Sequence, residues 1–168
     1  PGVVYYESGE SGPVVGIVGL THGNEPVGGY LIDKLGPFFE ANIKAGKLVC
    51  IKANLAAHAQ GLRHTRDGFD LNRLGDKDTL AALRLRPPTS LCYEERRILE
   101  LEPILNKCDA IVDVHSTTRP SPPFLLMRDD LQHRQIVRSL GIQKVVTGLH
   151  AEGILGGGML PDVGLKLG

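Results

Sequence analysis

His22, Glu25 and His115 are the residues of this 168-residue sequence whose types and settings best suit metal chemistry. Imidazole and carboxylate are both good Zn2+ ligands, and a separation of three lets a loop residue and a first-turn helix residue converge on one point. A catalytic zinc takes three protein ligands and keeps a further position open. The third ligand must come from elsewhere, and His115 is the best candidate. It ends the apolar run Ala110-Ile111-Val112-Asp113-Val114, much as His22 follows Val14-Val15-Gly16-Ile17-Val18-Gly19. In open α/β sheets ligands bind beyond the carboxyl ends of the strands, so two strand ends distant in sequence can meet there. The plainer alternative is that His22 and Glu25 cap the helix that begins near Pro26.

A second group lies in Asp67-Gly68-Phe69-Asp70-Leu71-Asn72-Arg73, with Arg63 and Arg66 just upstream. A guanidinium is a planar fork matched to carboxylate and stays charged at all relevant pH, so Arg73 beside the Asn72 amide suits an anionic substrate end. The alternative is a set of surface arginines held by Asp67 and Asp70.

The elements that must carry these residues follow from periodicity. Short β-branched runs bounded by Gly and Pro predict strands at Val3–Tyr6, Val14–Gly19, Leu48–Lys52, Ala110–Val114, Phe124–Met127, Lys144–Thr147 and Val163–Leu167. A helix is expected over 26–35, with Val27, Tyr30, Leu31 and Leu35 along its stripe; Gly36-Pro37 interrupts it before a further turn or two to Ala45. Residues 54–73 read as one long loop, a length that inside a domain usually signals function. Helices are expected at Thr79–Arg86, Tyr93–Lys107 and about 130–140, and a glycine-rich loop at 153–161. In Tyr93–Lys107, Ile98, Leu101, Ile104 and Leu105 form the core face, and the run Glu94, Glu95, Arg96, Arg97, Glu100 is expected to face water. Strands alternating with helices predict a single α/β layered domain over 1–168, with a mixed, mostly parallel sheet flanked by helices.

Hydrophobic residues make up 42% of the chain and charged residues 23%, which excludes a disordered or fibrous protein. Nineteen basic residues balance nineteen acidic ones, so no net field draws the chain to nucleic acid or to a membrane. Three cysteines without CxxC spacing argue against a disulfide framework and for a reducing, cytoplasmic setting. No apolar run approaches the ~20 residues of a spanning helix, and no signal peptide is recognisable. The missing initiator Met and the stop at Gly168 suggest an incomplete chain. Oligomeric state is not encoded in any pattern here. The isolated His58, His64, His133 and His150 have no ligand spacing and are expected in surface or satisfied core roles.

Thr21-His22-Gly23-Asn24-Glu25, Asp70-Leu71-Asn72-Arg73 and Asp113-Val114-His115-Ser116-Thr117-Thr118, in this order, resemble the aspartoacylase and succinylglutamate desuccinylase family, relatives of the zinc carboxypeptidases. The likeness is specific from about residue 12 to 127 and looser beyond. It implies a carboxypeptidase-like α/β domain with zinc held by His22, Glu25 and His115. It also implies that Asn72 and Arg73 grip a substrate carboxylate, and that an upstream arginine, Arg63 or alternatively Arg66, polarises the scissile carbonyl and so is both catalytic and substrate-binding. The expected reaction is hydrolysis of the amide bond of a small, anionic N-acyl amino acid; a zinc carboxypeptidase acting on peptides is the second enzyme reading. Zinc lowers the pKa of bound water towards ~7, and a fixed arginine offsets negative charge growing on the carbonyl oxygen. Asp113, two residues before His115 on the same strand face, either accepts an imidazole N–H or serves nearby backbone groups.

One departure stands out. The family places its proton-shuttling glutamate on a late strand, and the best local match, Val163-Gly164-Leu165-Lys166-Leu167-Gly168, has Lys166 there. A lysine ammonium beside Zn2+ repels the metal instead of deprotonating its water. The true glutamate lies beyond Gly168, or Glu152 replaces it, or catalysis is lost and the chain is a non-catalytic zinc- or ligand-binding domain. The family's smaller β-rich C-terminal domain is not in the sequence.

Overall fold

A computed structural model describes residues 1–127, 134, 137, 138 and 140–148. The expectations for a helix over most of 130–140, for the 153–161 loop, for the 163–167 strand and for His133, His150, Glu152 and Lys166 concern residues outside this set. The described chain falls into one body comprising Pro1–Ser116 and another beginning at Thr117.

In the first body β1 (Val3–Glu7), β2 (Val14–Gly19), β3 (Lys47–Lys52) and β4 (Ala110–Val114) form a sheet of order β1-β3-β2-β4. The β2 strand pairs parallel with both β3 and β4, and β1 runs antiparallel to β3 at one edge. The expected mixed, mostly parallel sheet is therefore observed, with helices α1 (Val27–Asn42), α2 (Leu55–Gln60), α3 (Lys77–Arg84) and α4 (Tyr93–Leu105) around it. Alternation along β3 serves two faces. Val49 and Ile51 join Leu80, Leu83, Ile98, Leu101 and Leu105 on the side of α3 and α4, while Leu48 and Cys50 meet Ile32 of α1 on the other. Because β2 and β4 run parallel and in register, Val18 opposite Asp113 and Gly19 opposite Val114, their carboxyl ends finish side by side.

Four local expectations are corrected. Helix α1 is continuous through Gly36-Pro37. Pro37 removes only the bond to the Asp33 carbonyl, and both residues are exposed, so the loss falls on the solvent side of the helix. The face of α1 turned to the sheet is Gly28, Gly29, Ile32 and Gly36, while Val27, Tyr30, Leu31 and Leu35 are exposed. Apolar periodicity points away from the sheet because the contact is built from glycines: a Cβ on Gly28 would lie 2.7 Å from the Gly19 Cα, so only bare backbone allows the helix this close.

The expected loop at 54–73 contains α2 and a short 3-10 turn at Leu71–Arg73. Its polar ends are helix stops: the Asn54 side chain accepts from the Ala57 N–H, and Gly61 closes α2 at φ 65°. Finally, the charge run of α4 is a solvated face only in part, at the exposed Arg96 and Glu100. Glu94, Glu95 and Arg97 are buried. Each is satisfied internally: Arg97 donates to the carbonyls of Ala53, Lys52 and Pro1, and Glu95 accepts from the Cys92 N–H and pairs with Arg86.

In the second body β5 (Leu125–Leu126) and β6 (Val145–Val146) pair in parallel, within the two strands expected there. No helix among the described residues is long and apolar enough to cross a membrane.

Candidate metal centre

Leu20 leaves β2 with φ 59°, the one positive φ outside glycine among the described residues. Such a conformation costs about 1–3 kcal/mol and persists where neighbours over-determine it. Here the Leu20 side chain is buried and its carbonyl accepts from the Asn54 N–H at 2.9 Å. The turn delivers His22 to the end of the sheet, and the Glu25 N–H closes back on the His22 carbonyl at 3.1 Å. His115 arrives one residue after β4.

The rings of His22 and His115 lie with centroids 4.8 Å apart, and Glu25 bridges them. His22 Nδ1 is 2.8 Å from Glu25 Oε1, and His115 Nδ1 is 3.0 Å from Glu25 Oε2. One ligand atom from each of the three residues fits within 4.8 Å of the others. Two neutral imidazole nitrogens and one carboxylate oxygen are a donor set of the kind zinc takes.

The far side of each ring supports the same reading. His22 Nε2 meets Asp70 Oδ1 at 3.1 Å, and His115 Nε2 meets Asp113 Oδ2 at 2.8 Å. A carboxylate accepting Nε2–H fixes the tautomer that leaves the Nδ1 lone pair towards Glu25. Of the two roles open to Asp113, acceptance from the imidazole is observed, and its other oxygen accepts from the Thr21 hydroxyl at 2.7 Å.

Electrostatics match these contacts. Burial raises the Glu25 pKa, but the Ser116 N–H and the two histidines outweigh it and hold the carboxyl below its ordinary value. At Asp70 burial is likewise outweighed, by bonds from His22 and Arg63, and its pKa is well below the usual range. Burial opposes charging of His115, yet Asp113 and Glu25 push its pKa up.

Arg63 reaches the cluster. Its Nε and Nη2 donate to Asp70 Oδ2 at 3.2 and 2.9 Å, and Nη1 stands 3.6 Å from Glu25 Oε1. Arg66 is exposed and has no hydrogen bond or ion pair with the described residues. Of the two arginines, Arg63 is the one beside the donor set. Asn72 is buried and its N–H donates to Asp70 Oδ1 at 2.9 Å; Arg73 follows, exposed, with Nη1 donating to the Asn72 carbonyl at 2.8 Å. Asp70 thus joins His22, Arg63 and the Asn72-Arg73 turn, a junction that sequence reasoning reduced to a counter-ion for arginine. Its position at the head of Asp70-Leu71-Asn72-Arg73 was the available signal. His58, which has no ligand spacing, uses Nδ1 on the Gly23 carbonyl at 2.8 Å and so braces the ligand loop.

Comparison with known proteins places this geometry in a family. Residues 11–154 match the family model described as the succinylglutamate desuccinylase/aspartoacylase catalytic domain. Similar solved structures include the succinylglutamate desuccinylase of Chromobacterium violaceum, at 24% identity over 88% of this chain and 49% of that one, with a TM-score of 0.65. An aspartoacylase family protein of Mesorhizobium loti has 23% identity over 89% of this chain and 48% of its own, with a TM-score of 0.66. A succinylglutamate desuccinylase/aspartoacylase of Rhodobacter sphaeroides has 20% identity over 96% and 46%, with a TM-score of 0.66. At these identities the structures establish a shared fold, and the chain spans about half their length. A search of curated proteins gives no match. The extent of the model match carries the assignment: the chain belongs to the succinylglutamate desuccinylase/aspartoacylase catalytic-domain family.

Proposed function

We propose that the protein is a zinc-dependent hydrolase that cleaves the amide bond of a small N-acyl amino acid bearing a free carboxylate. The observation that carries this reading is the convergence of His22, Glu25 and His115, with the Arg63 guanidinium 3.6 Å from Glu25. His22 and His115 would hold the metal through Nδ1 and Glu25 through its carboxylate. Zinc bound there supplies a Lewis acid suited to an amide carbonyl.

The chain's own residues do the rest. Asp70 and Asp113 accept hydrogen bonds from the Nε2–H groups, so each imidazole is held in one tautomer and one orientation. Arg63, braced by two bonds to Asp70, offsets negative charge developing on the carbonyl oxygen. The remaining donors of the Arg73 fork, beside Asn72, suit the carboxylate of an anionic substrate. A cytoplasmic location fits the reduced cysteines of this reading.

The test is zinc content followed by hydrolysis across a panel of N-acetyl and N-succinyl amino acids. One zinc per chain with turnover is expected, and Arg63→Ala should retain the zinc while kcat falls roughly 100- to 1000-fold. Absence of zinc overturns the proposal. Zinc without turnover in the wild type, but with turnover in Lys166→Glu, favours a metal-binding domain that has lost its base.

A further inference from the structure

Glu94 is fully buried in the first turn of α4, on a helix whose charges the sequence assigns to solvent. No cation faces it. Oε1 accepts from the Thr65 N–H at 2.7 Å and from Asn54 Nδ2 at 3.0 Å, and Oε2 accepts from the Thr65 hydroxyl at 2.8 Å. A buried carboxylate is retained only where such donors satisfy it, and removing it leaves each donor unpaired in a dry interior.

The donors belong to the two segments that bound the candidate metal centre. Thr65 lies midway along the stretch that carries Arg63 on one side and Asp70 on the other. Asn54 donates its backbone N–H to the Leu20 carbonyl, where the His22 loop begins, and caps α2 with its side-chain oxygen. The 63–70 segment also presses on Glu94 at Gly68, where a Cβ would overlap Oε2 of Glu94 and Oγ1 of Thr65. The Arg63 side chain is 44% accessible and donates to Asp70 of the same segment, while the Arg63 carbonyl accepts from the Gly23 N–H at 3.1 Å and Asp70 reaches His22. Those contacts join the two parts of the site to each other; the bonds from Thr65 to Glu94 are what tie the segment to α4.

We infer that Glu94 is a positioning residue that sets where Arg63 and Asp70 stand relative to His22, by clamping Thr65 to α4 and Asn54. It touches neither substrate nor metal. The kinetic part of this inference rests on the deacylase reading above.

The test uses the full chain with Glu94→Ala and Glu94→Gln, each alone and combined with Arg63→Ala. Displacements of about 1 Å at a positioned group lower rates by roughly 100-fold, so Glu94→Ala should lower kcat/KM by that order when Arg63 is present and by much less when it is not. Glu94→Gln keeps an oxygen for the two N–H donors and an amide for the Thr65 hydroxyl, and should restore most of the loss. Trypsin supplies a readout independent of turnover: Glu94→Ala should be cut rapidly after Arg63 and Arg66, whereas wild type and Glu94→Gln resist. Should Glu94→Ala not fold, Thr65→Val removes the hydroxyl bond alone and should show the same pattern at about a tenfold smaller effect. Equal losses with and without Arg63, or cleavage at Arg63 and Arg66 as fast in wild type as in the variants, overturn the inference. If wild type hydrolyses no N-acyl amino acid, the deacylase reading fails and the trypsin comparison still decides for or against the clamp.

Discussion

Glu25 and Glu94 are both carboxylates withdrawn from water and ringed by donors, yet their surroundings differ in kind. Glu25 faces two imidazoles and a guanidinium, and only one backbone N–H, that of Ser116, fixes it. Glu94 faces an amide, a hydroxyl and a backbone N–H, all neutral and all fixed. A carboxylate among imidazoles shares their lone pairs' direction and can take a cation between them. One among N–H and O–H groups has its lone pairs spoken for and acts as a strut.

The comparison can be broken by exchanging charge for an isosteric amide at each site. Glu25→Gln should weaken zinc binding by more than about 100-fold, measured by competition with a chelating dye, while Glu94→Gln leaves it within a few-fold. Equal weakening in both would mean that the two sites are not distinct in kind.

A smaller effect is expected one layer out. Asp113→Asn keeps the shape beside His115 but no longer offers a charged acceptor for Nε2–H, and should lower zinc affinity about 10- to 100-fold. An unchanged affinity would leave Asp113 as a support for Thr21 alone.

The smallest effect is in stability. Burial would raise the Glu94 pKa, but the Thr65 N–H, the Asn54 amide and the Thr65 hydroxyl together hold it below the ordinary 4.5. A folded pKa below the unfolded one means that the unfolded chain binds the proton more tightly, so stability rises with pH across this range. The contribution is present above about pH 4.5 and is lost as pH falls through the lower folded value. Denaturant midpoints of wild type should therefore fall towards those of Glu94→Gln on acidification; a constant gap between the two would contradict this.

What the sequence disclosed and what it hid divide along the same line. The His22, Glu25 and His115 set was legible because a strand's carboxyl end is a place as well as a type, and three such residues at strand ends restrict one another. Strands β2, β3 and β4 were legible as β-branched runs bounded by turn residues. The glycine face of α1 was not, since periodicity counts side chains and this contact is made by their absence. The burial of Glu94 and Arg97 was hidden for a related reason: charge reports a demand for partners, and those partners, Thr65, Asn54 and the Ala53 carbonyl, sit far away in sequence. Asp70 was seen as an arginine's counter-ion because its bond to His22 crosses 48 residues.

The most direct test of the central claim is the zinc stoichiometry of the purified chain beside that of His115→Ala. The account predicts close to one zinc per chain in the wild type and close to none in the variant, since His115 alone brings a ligand from β4 to the pair on the β2–α1 turn. Zinc retained at full stoichiometry by a folded His115→Ala would contradict it.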